Sequence, residues 1–126
     1  MSWQSYVDST LVGSGKVAKA SIFGLDGSVW AISPDFTISE PEAQKAIAAF
    51  TNSSDTFASG IFLEGSKYTV LRADDQSIYA SNGAIGVTIV KTDKTIIVGF
   101  YNETMQAGNC NTLVEGFAEY LRNVGY

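Results

Sequence analysis

The sequence predicts an α+β fold in which helices pack on an antiparallel β-sheet. Two observations favour this class. The first and last segments have helical periodicity, and the stretch from Gly60 to Tyr101 contains five short β-like runs separated by glycine or polar turns. The chain has 126 residues, of which 45% are hydrophobic and 17% charged. These values predict a single domain over residues 1–126 with a core of its own.

The start of the chain predicts a short helix over residues 2–12. Ser2 can cap it, and the glycines that follow the segment can end it. Trp3, Val7 and Leu11 recur every fourth residue and therefore share one face of that helix. We expect this face to contact the rest of the molecule.

Two strands and a second helix come next. Residues 16–24 and 28–33 have strand-like composition and flank an Asp-Gly turn, which predicts a β-hairpin. Ser39 and Glu42 have the spacing of a capping box and predict the start of a helix. That helix ends before residues 51–55, which are predicted to be loop because they are rich in polar turn-forming side chains.

The remaining elements are an antiparallel meander and a final helix. The β-like runs are 61–65, 67–73, 76–80, 86–92 and 94–101. The helix is predicted over about 108–123. Its apolar stripe comprises Leu113, Phe117, Tyr120, Leu121 and Val124. Gly116 lies inside this helix and is expected to cost about 1 kcal/mol relative to alanine.

Composition excludes several classes of function. The chain has no histidine, which rules out Ser-His-Asp and Cys-His nucleophile systems, and Cys110 alone can form neither an intrachain disulfide nor a zinc site. We therefore expect no catalytic residue, no metal, no cofactor and a reducing, cytoplasmic location. The adjacent Asp74 and Asp75 are interpreted as a solvated turn rather than an acid–base pair.

Charge and hydropathy also limit the partners. A formal net charge of −5 argues against nucleic acid, and no apolar run approaches the ~18 residues of a transmembrane segment. The N-terminal residues lack the basic and apolar regions of a secretory signal. We expect neither a nucleic-acid partner nor a membrane-spanning segment.

Aromatic residues suggest a binding surface. The rings would converge if the terminal helices packed side by side, and an aromatic surface with polar tips suits a polyproline II ligand. The rings in question are Trp3, Tyr6, Trp30, Tyr120 and Tyr126. Spacing alone favours ordinary core packing over a ligand surface and leaves both open.

Four motifs in order resemble the profilin family over the whole chain. They are MSWQSYVD at the start, DGSVWAIS around Trp30, LRADDQSIY ending at Tyr79, and LVEGFAEYLRNVGY at the end. The last is similar to the tail of fungal, amoebal and plant members. The resemblance implies a central antiparallel sheet with the N- and C-terminal helices on one face and shorter helices on the other.

The resemblance also implies partners. It points to a monomeric, cytoskeleton-associated protein that binds an actin monomer and proline-rich segments of proteins such as formins, and that binds phosphoinositides. The implied proline-binding residues are Trp3, Tyr6, Trp30, Tyr120, Leu121 and Tyr126. The implied actin-binding residues are Lys67, Arg72, Tyr79, Gly108 and Asn111. This changes the preferred interpretation of the aromatic residues to a proline-binding surface.

Departures from the family pattern remove positive charge. Gln76 stands where the motif has arginine, residues 80–82 replace a glycine followed by basic residues, and Gly116 replaces a lysine found in several relatives. We therefore expect weakened actin binding and more strongly reduced phosphoinositide binding. The alternatives are a proline-binding scaffold with little actin affinity, a longin-like module that binds a GTPase or small ligand, and, least supported, an enzyme.

Overall fold

A seven-stranded antiparallel sheet forms the centre of the computed structural model, which describes residues 2–126. Its strands are β1 (Lys19–Gly24), β2 (Val29–Ile32), β3 (Ile61–Leu63), β4 (Ser66–Ala73), β5 (Ser77–Asn82), β6 (Ile85–Lys91) and β7 (Thr95–Tyr101). Their order across the sheet is β2-β1-β7-β6-β5-β4-β3. The predicted hairpin and meander are confirmed, and β1 pairs with β7 to join them into one sheet.

Four helical segments accompany the sheet. Helix α1 is α-helical over Trp3–Ser5, a π-helix over Tyr6–Leu11 and a 3₁₀-helix over Val12–Ser14. The others are α2 (Glu40–Ala49), α3 (Ser53–Ser59) and α4 (Ala107–Asn123). The predicted caps form, since Ser2 Oγ accepts from Ser5 N–H at 3.1 Å and Ser39 with Glu42 makes the capping box.

Alternation along the strands gives the sheet an apolar core on each face. On one face, Ile89 and Val98 pack with Ala46 and Phe50 at the α2 side. On the other, a separate cluster combines residues of α1 and α4 with the strands, namely Val7, Leu11, Ala20, Ile22, Val90, Ile97, Val114 and Leu121. The terminal helices therefore share one face, as the resemblance implied, and the shorter helices lie on the other.

The predicted loop at residues 51–55 is wrong, because helix α3 begins inside it at Ser53. Asn52 caps this helix by accepting from Asp55 N–H at 3.4 Å, and its amide donates to the Asp55 carboxylate at 2.8 Å. Asparagine favours helix N-caps as well as turns. The polar residues that suggested a loop instead cap and begin helix α3.

The buried face of α4 differs from the predicted stripe. The fully buried residues are Cys110, Val114, Phe117, Ala118 and Leu121, whereas Tyr120 and Val124 are exposed and Leu113 is half-buried. Cys110 and Ala118 have small side chains that contribute little to hydrophobic periodicity. The predicted stripe therefore included the larger Leu113, Tyr120 and Val124 in their place. The exposure of Tyr120 places a ring at the surface beside α1.

Helix α4 lies directly against the backbone of β7. A Cβ atom added at Gly99 would come within 2.6 Å of Val114 Cγ2 and 3.5 Å of Cys110 Sγ. By contrast, a Cβ added at Gly116, on the same helix, would meet nothing within 4 Å. The close approach at Gly99 therefore needs a glycine, and the open side of α4 at Gly116 does not.

We predict opposite effects of two glycine-to-alanine changes. Gly99→Ala should lower the free energy of unfolding by about 1–3 kcal/mol, because α4 must move away from β7. Gly116→Ala should raise it by up to about 1 kcal/mol, because alanine favours the helix and has room. Urea denaturation of both variants measures this. Equal effects of the two changes would contradict the close packing of α4 on β7.

Candidate functional site

Aromatic rings from three elements meet where the terminal helices pass the edge of the sheet. The Trp3 ring lies 5.7 Å from Tyr6, 4.9 Å from Trp30 and 5.0 Å from Tyr126, measured between centroids. Trp30 and Tyr126 are 6.3 Å apart in an edge-to-face arrangement. We call the set Trp3, Tyr6, Trp30, Tyr120 and Tyr126 the aromatic cluster. The five predicted rings do converge.

Tyr120 joins the cluster through Tyr6. Their ring centroids are 6.1 Å apart and their hydroxyl oxygens lie 3.3 Å from each other. This hydrogen bond is the largest cause of a raised pKa at Tyr6, and burial adds to it. The Tyr6 phenol is therefore protonated at neutral pH and can donate a hydrogen bond.

Lys94, in the turn before β7, holds Tyr126 in place. Its backbone N–H donates to the Tyr126 carbonyl at 2.6 Å, and its ammonium lies 5.6 Å from the centre of the Tyr126 ring. Tyr126 N–H in turn donates to the Leu121 carbonyl at 2.8 Å. These contacts fix the ring although it follows the end of α4.

The predicted proline-binding residues differ in exposure. Tyr120 is 46% exposed and Tyr126 is 38% exposed, while Trp3, Tyr6 and Trp30 are half-buried. Leu121 is only 1% exposed and lies in the core beneath them. Phe117, which sequence reasoning did not include, stacks on Tyr120 at 6.2 Å and contacts Tyr6 at 5.2 Å. Leu121 and Phe117 can support the rings from below.

An apolar groove of about 570 Å³ continues from the cluster between α1 and α4. Tyr6 and Tyr120 belong to both the cluster and this groove, and Leu113 and Gly116 line it farther along α4. The absent side chain at Gly116 leaves this part of α4 open.

A second surface lies along a cross-strand row under α4. Arg72 of β4 is paired with Tyr79 of β5, Tyr79 with Thr88 of β6, and Thr88 with Gly99 of β7. The Arg72 guanidinium lies 5.3 Å from the centre of the Tyr79 ring. Two of the predicted actin-binding residues are thus in direct contact.

A β-bulge brings Lys67 to the same face as Arg72. The β4–β5 register shifts between Val70 and Arg72, so Leu71 is the extra residue. Tyr68, Val70 and Ala73 contact the core on the α2 side, which leaves Lys67 and Arg72 on the opposite face despite their odd separation. Strict alternation would have separated these two cations.

Glu115 of α4, which sequence reasoning missed, organises this surface. Its Oε2 accepts from Tyr79 OH at 2.5 Å and from Ser77 Oγ at 2.8 Å. Burial, followed by the hydrogen bond and charge of Glu115, raises the pKa of Tyr79 to about 12. The Asp74 carboxylate also orients Arg72, since Asp74 Oδ2 lies 3.1 Å from Arg72 Nη2.

The remaining predicted residues lie at the start of α4. Asn111 Oδ1 accepts from Thr88 Oγ1 at 2.5 Å, so its side chain is tied to the same cross-strand row. Gly108 is exposed and a Cβ there would meet nothing within 4 Å. Asp74 also accepts from Gln76 and Ser77 N–H at 2.8 Å, which makes the Asp74–Asp75 pair part of a turn.

None of the helices in residues 2–126 is both long and apolar enough to cross a membrane.

Comparison with known proteins identifies the family. The Profilin family model matches residues 1–126. Profilin-A of Physarum polycephalum is 48% identical over 126 residues, covering all of both chains. The structure of Acanthamoeba castellanii profilin IB has a TM-score of 0.96 at 46% identity, covering 99% of this chain and 100% of that one. Mouse profilin IIa, solved in complex with a double repeat from the FH1 domain of mDia1, has a TM-score of 0.82 at 24% identity with full coverage of both chains, a likeness of fold. With a full-length family match and near-half identity to its relatives, this chain belongs to the profilin family.

Proposed function

We propose that this chain is a non-catalytic binding module over residues 1–126 that holds an actin monomer on one surface and a proline-rich segment on another. The observation that carries the proposal is the convergence of the aromatic cluster from α1, β2 and the end of α4. Family membership supports both partners. Simultaneous binding would raise the local concentration of actin near proline-rich assembly factors such as formins.

The aromatic cluster has the chemistry that a polyproline II helix requires. Proline rings pack flat against exposed aromatic faces, and phenol O–H and indole N–H groups donate to the free carbonyls of such a helix. Tyr120 and Tyr126 offer the more exposed faces, and Trp3 stands between Tyr6 and Trp30. The mouse relative that was solved with an FH1 repeat adds support from within the family.

Proline binding should be visible in tryptophan fluorescence. Trp3 and Trp30 are the only tryptophans and both belong to the cluster, so decaproline should change the emission as it binds. Trp3→Ala removes the ring that contacts three others and should weaken decaproline binding by more than about tenfold. Titration by fluorescence and by calorimetry measures both effects.

Phe62→Ala is the matched control. Phe62 is an exposed aromatic residue on β3, the edge strand at the opposite end of the sheet order from β2. The Phe62→Ala variant should bind decaproline with wild-type affinity. The Trp3→Ala variant should keep whatever affinity for actin the wild-type chain has. Absence of any spectral change at millimolar decaproline concentrations would defeat the proposal.

The proposed actin surface is the row that begins at Arg72 and Tyr79 and continues to the start of α4. Arg72 is 56% exposed at its side chain, yet Asp74 and the Tyr79 ring hold its orientation. A charge that is already oriented loses less side-chain entropy when a partner binds. Lys67 adds a second positive charge on the same face.

Arg72→Ala should weaken binding to monomeric actin by about three- to tenfold, mainly through slower association, because charged groups at an interface steer encounter. Lys45→Ala removes one positive charge from α2, on the other face of the sheet, and should leave actin binding unchanged. Surface plasmon resonance with monomeric actin gives both rate constants. A wild-type chain that binds decaproline but not actin would instead favour the proline-binding scaffold.

Phosphoinositide binding is proposed to be weak. Attraction to an anionic membrane depends on clustered positive charge, and this chain has 8 basic against 13 acidic residues. Sedimentation with vesicles that contain phosphatidylinositol bisphosphate should leave most of the protein in solution at physiological salt. Tight, salt-sensitive binding to these vesicles would contradict the proposal.

A further inference from the structure

The Gln4 side chain connects helix α1 to the edge of the sheet. Its Nε2 donates to the Ile32 carbonyl at 3.0 Å, and its Oε1 accepts from the Ile32 N–H at 3.4 Å. Nε2 also donates to Asp8 Oδ1 at 3.0 Å. Because β2 is an edge strand, Ile32 has no neighbouring strand on its outer side. The Gln4 amide occupies the place of such a strand at this one residue.

The first turn of α1 has no fully buried side chain, although Trp3 is half-buried against the core. The segment Trp3–Ser5 contains no buried residue, whereas Val7 and Leu11, farther along, are fully buried. A helix of this length is not stable in water without tertiary contacts. The Gln4 amide is therefore the polar tether of the turn that carries Trp3.

The tether lies next to the two indoles. Gln4 follows Trp3 directly, and Ile32 lies two residues after Trp30 on β2. The β1–β2 register shifts at Trp30, so the Trp30 ring packs on the α4 side of the sheet and the Ile32 side chain on the α2 side, while Gln4 bonds to the Ile32 backbone. The two indole centroids are 4.9 Å apart although they belong to different elements. We infer that Gln4 is a positioning residue, which fixes the Trp3–Trp30 pair and thereby prepares the aromatic cluster for a proline-rich ligand; this rests on the proposed function.

The chemistry of the contact requires a carboxamide. Gln4 uses its N–H₂ group as a donor and its oxygen as an acceptor toward one backbone residue. Ionised glutamate has the same length but only acceptors. Gln4→Glu would therefore bring a negative charge to the Ile32 carbonyl and to Asp8, and it would lose the donor that holds both.

The test compares two glutamine tethers. Gln4→Ala and Gln4→Glu should each bind decaproline about three- to tenfold more weakly than wild type, the range expected for losing one net hydrogen bond. Gln44→Ala is the matched control, because Gln44 Nε2 also donates to a backbone carbonyl, that of Asp26, at 2.7 Å, but does so from helix α2 on the opposite face of the sheet. In urea denaturation, Gln44→Ala should lower the free energy of unfolding by about as much as Gln4→Ala does. It should keep wild-type affinity for decaproline.

A spectroscopic readout separates positioning from simple stability. The chain has two tryptophans, and indoles this close produce an exciton couplet in circular dichroism. We expect the couplet to weaken in both Gln4 variants and to persist in Gln44→Ala, with the backbone signal unchanged in all three. Lower stability with an unchanged couplet and unchanged decaproline affinity would overturn the inference.

Failure of the proposed function would look different. In that case the wild-type chain itself would not bind decaproline, whatever the variants do. The couplet does not depend on ligand, so it still decides the role of Gln4. An intact couplet in both Gln4 variants would then reject the positioning role, and a lost couplet would retain it.

Discussion

Both proposed surfaces depend on helix α4 lying directly against the backbone of strand β7. This contact is close because Gly99 has no side chain, which lets Val114 and Cys110 approach the strand. The position of α4 then fixes what its other residues can reach. Asn111 and Glu115 contact strand residues on one side, and Phe117, Tyr120 and Leu121 contact α1 and the aromatic cluster on the other.

The packing of α4 on β7 therefore fixes the positions of both proposed surfaces. Tyr120 follows Asn111 by nine positions, which is about 13.5 Å along a helix. Glu115 lies between them and ties α4 to β5 through Tyr79 and Ser77. A rigid connection of this kind holds two partners at a fixed separation, and this geometry suits a module that presents one partner to another.

Much of the fold could be predicted because local signals and the global structure agree. The Ser39–Glu42 capping box and the Asp-Gly turn of the β1–β2 hairpin are decided by neighbouring residues, and both appear as expected. Helix α3 was missed because Asn52 suits a turn and a helix cap equally well, and only the tertiary context selects one.

The candidate surfaces, like the fold, could be predicted from the sequence only in part. Large rings are visible in a sequence, so the members of the aromatic cluster could be named, although their convergence required the resemblance. The bulge at Leu71 was not predictable, because it follows from how β4 pairs with β5, and without it Lys67 and Arg72 would lie on opposite faces. Glu115 was missed because its role is defined by Tyr79, which is 36 residues away.

The aromatic cluster docks helix α1 against β2 and α4, and the proposed ligand surface uses the same side chains. Trp3 and Tyr6 are half-buried, and their buried faces hold α1 against β2 and α4. A proline-rich ligand of the proposed kind would contact the remaining faces of rings from all three elements, so it could bind tightly only when α1 is docked. Any fraction of molecules with α1 undocked lowers the apparent affinity in proportion, and bound ligand in turn stabilises the docked state. Docking of α1 and binding of such a ligand would thus be coupled equilibria, and the proposed tether Gln4 would act on both because it acts on the position of α1.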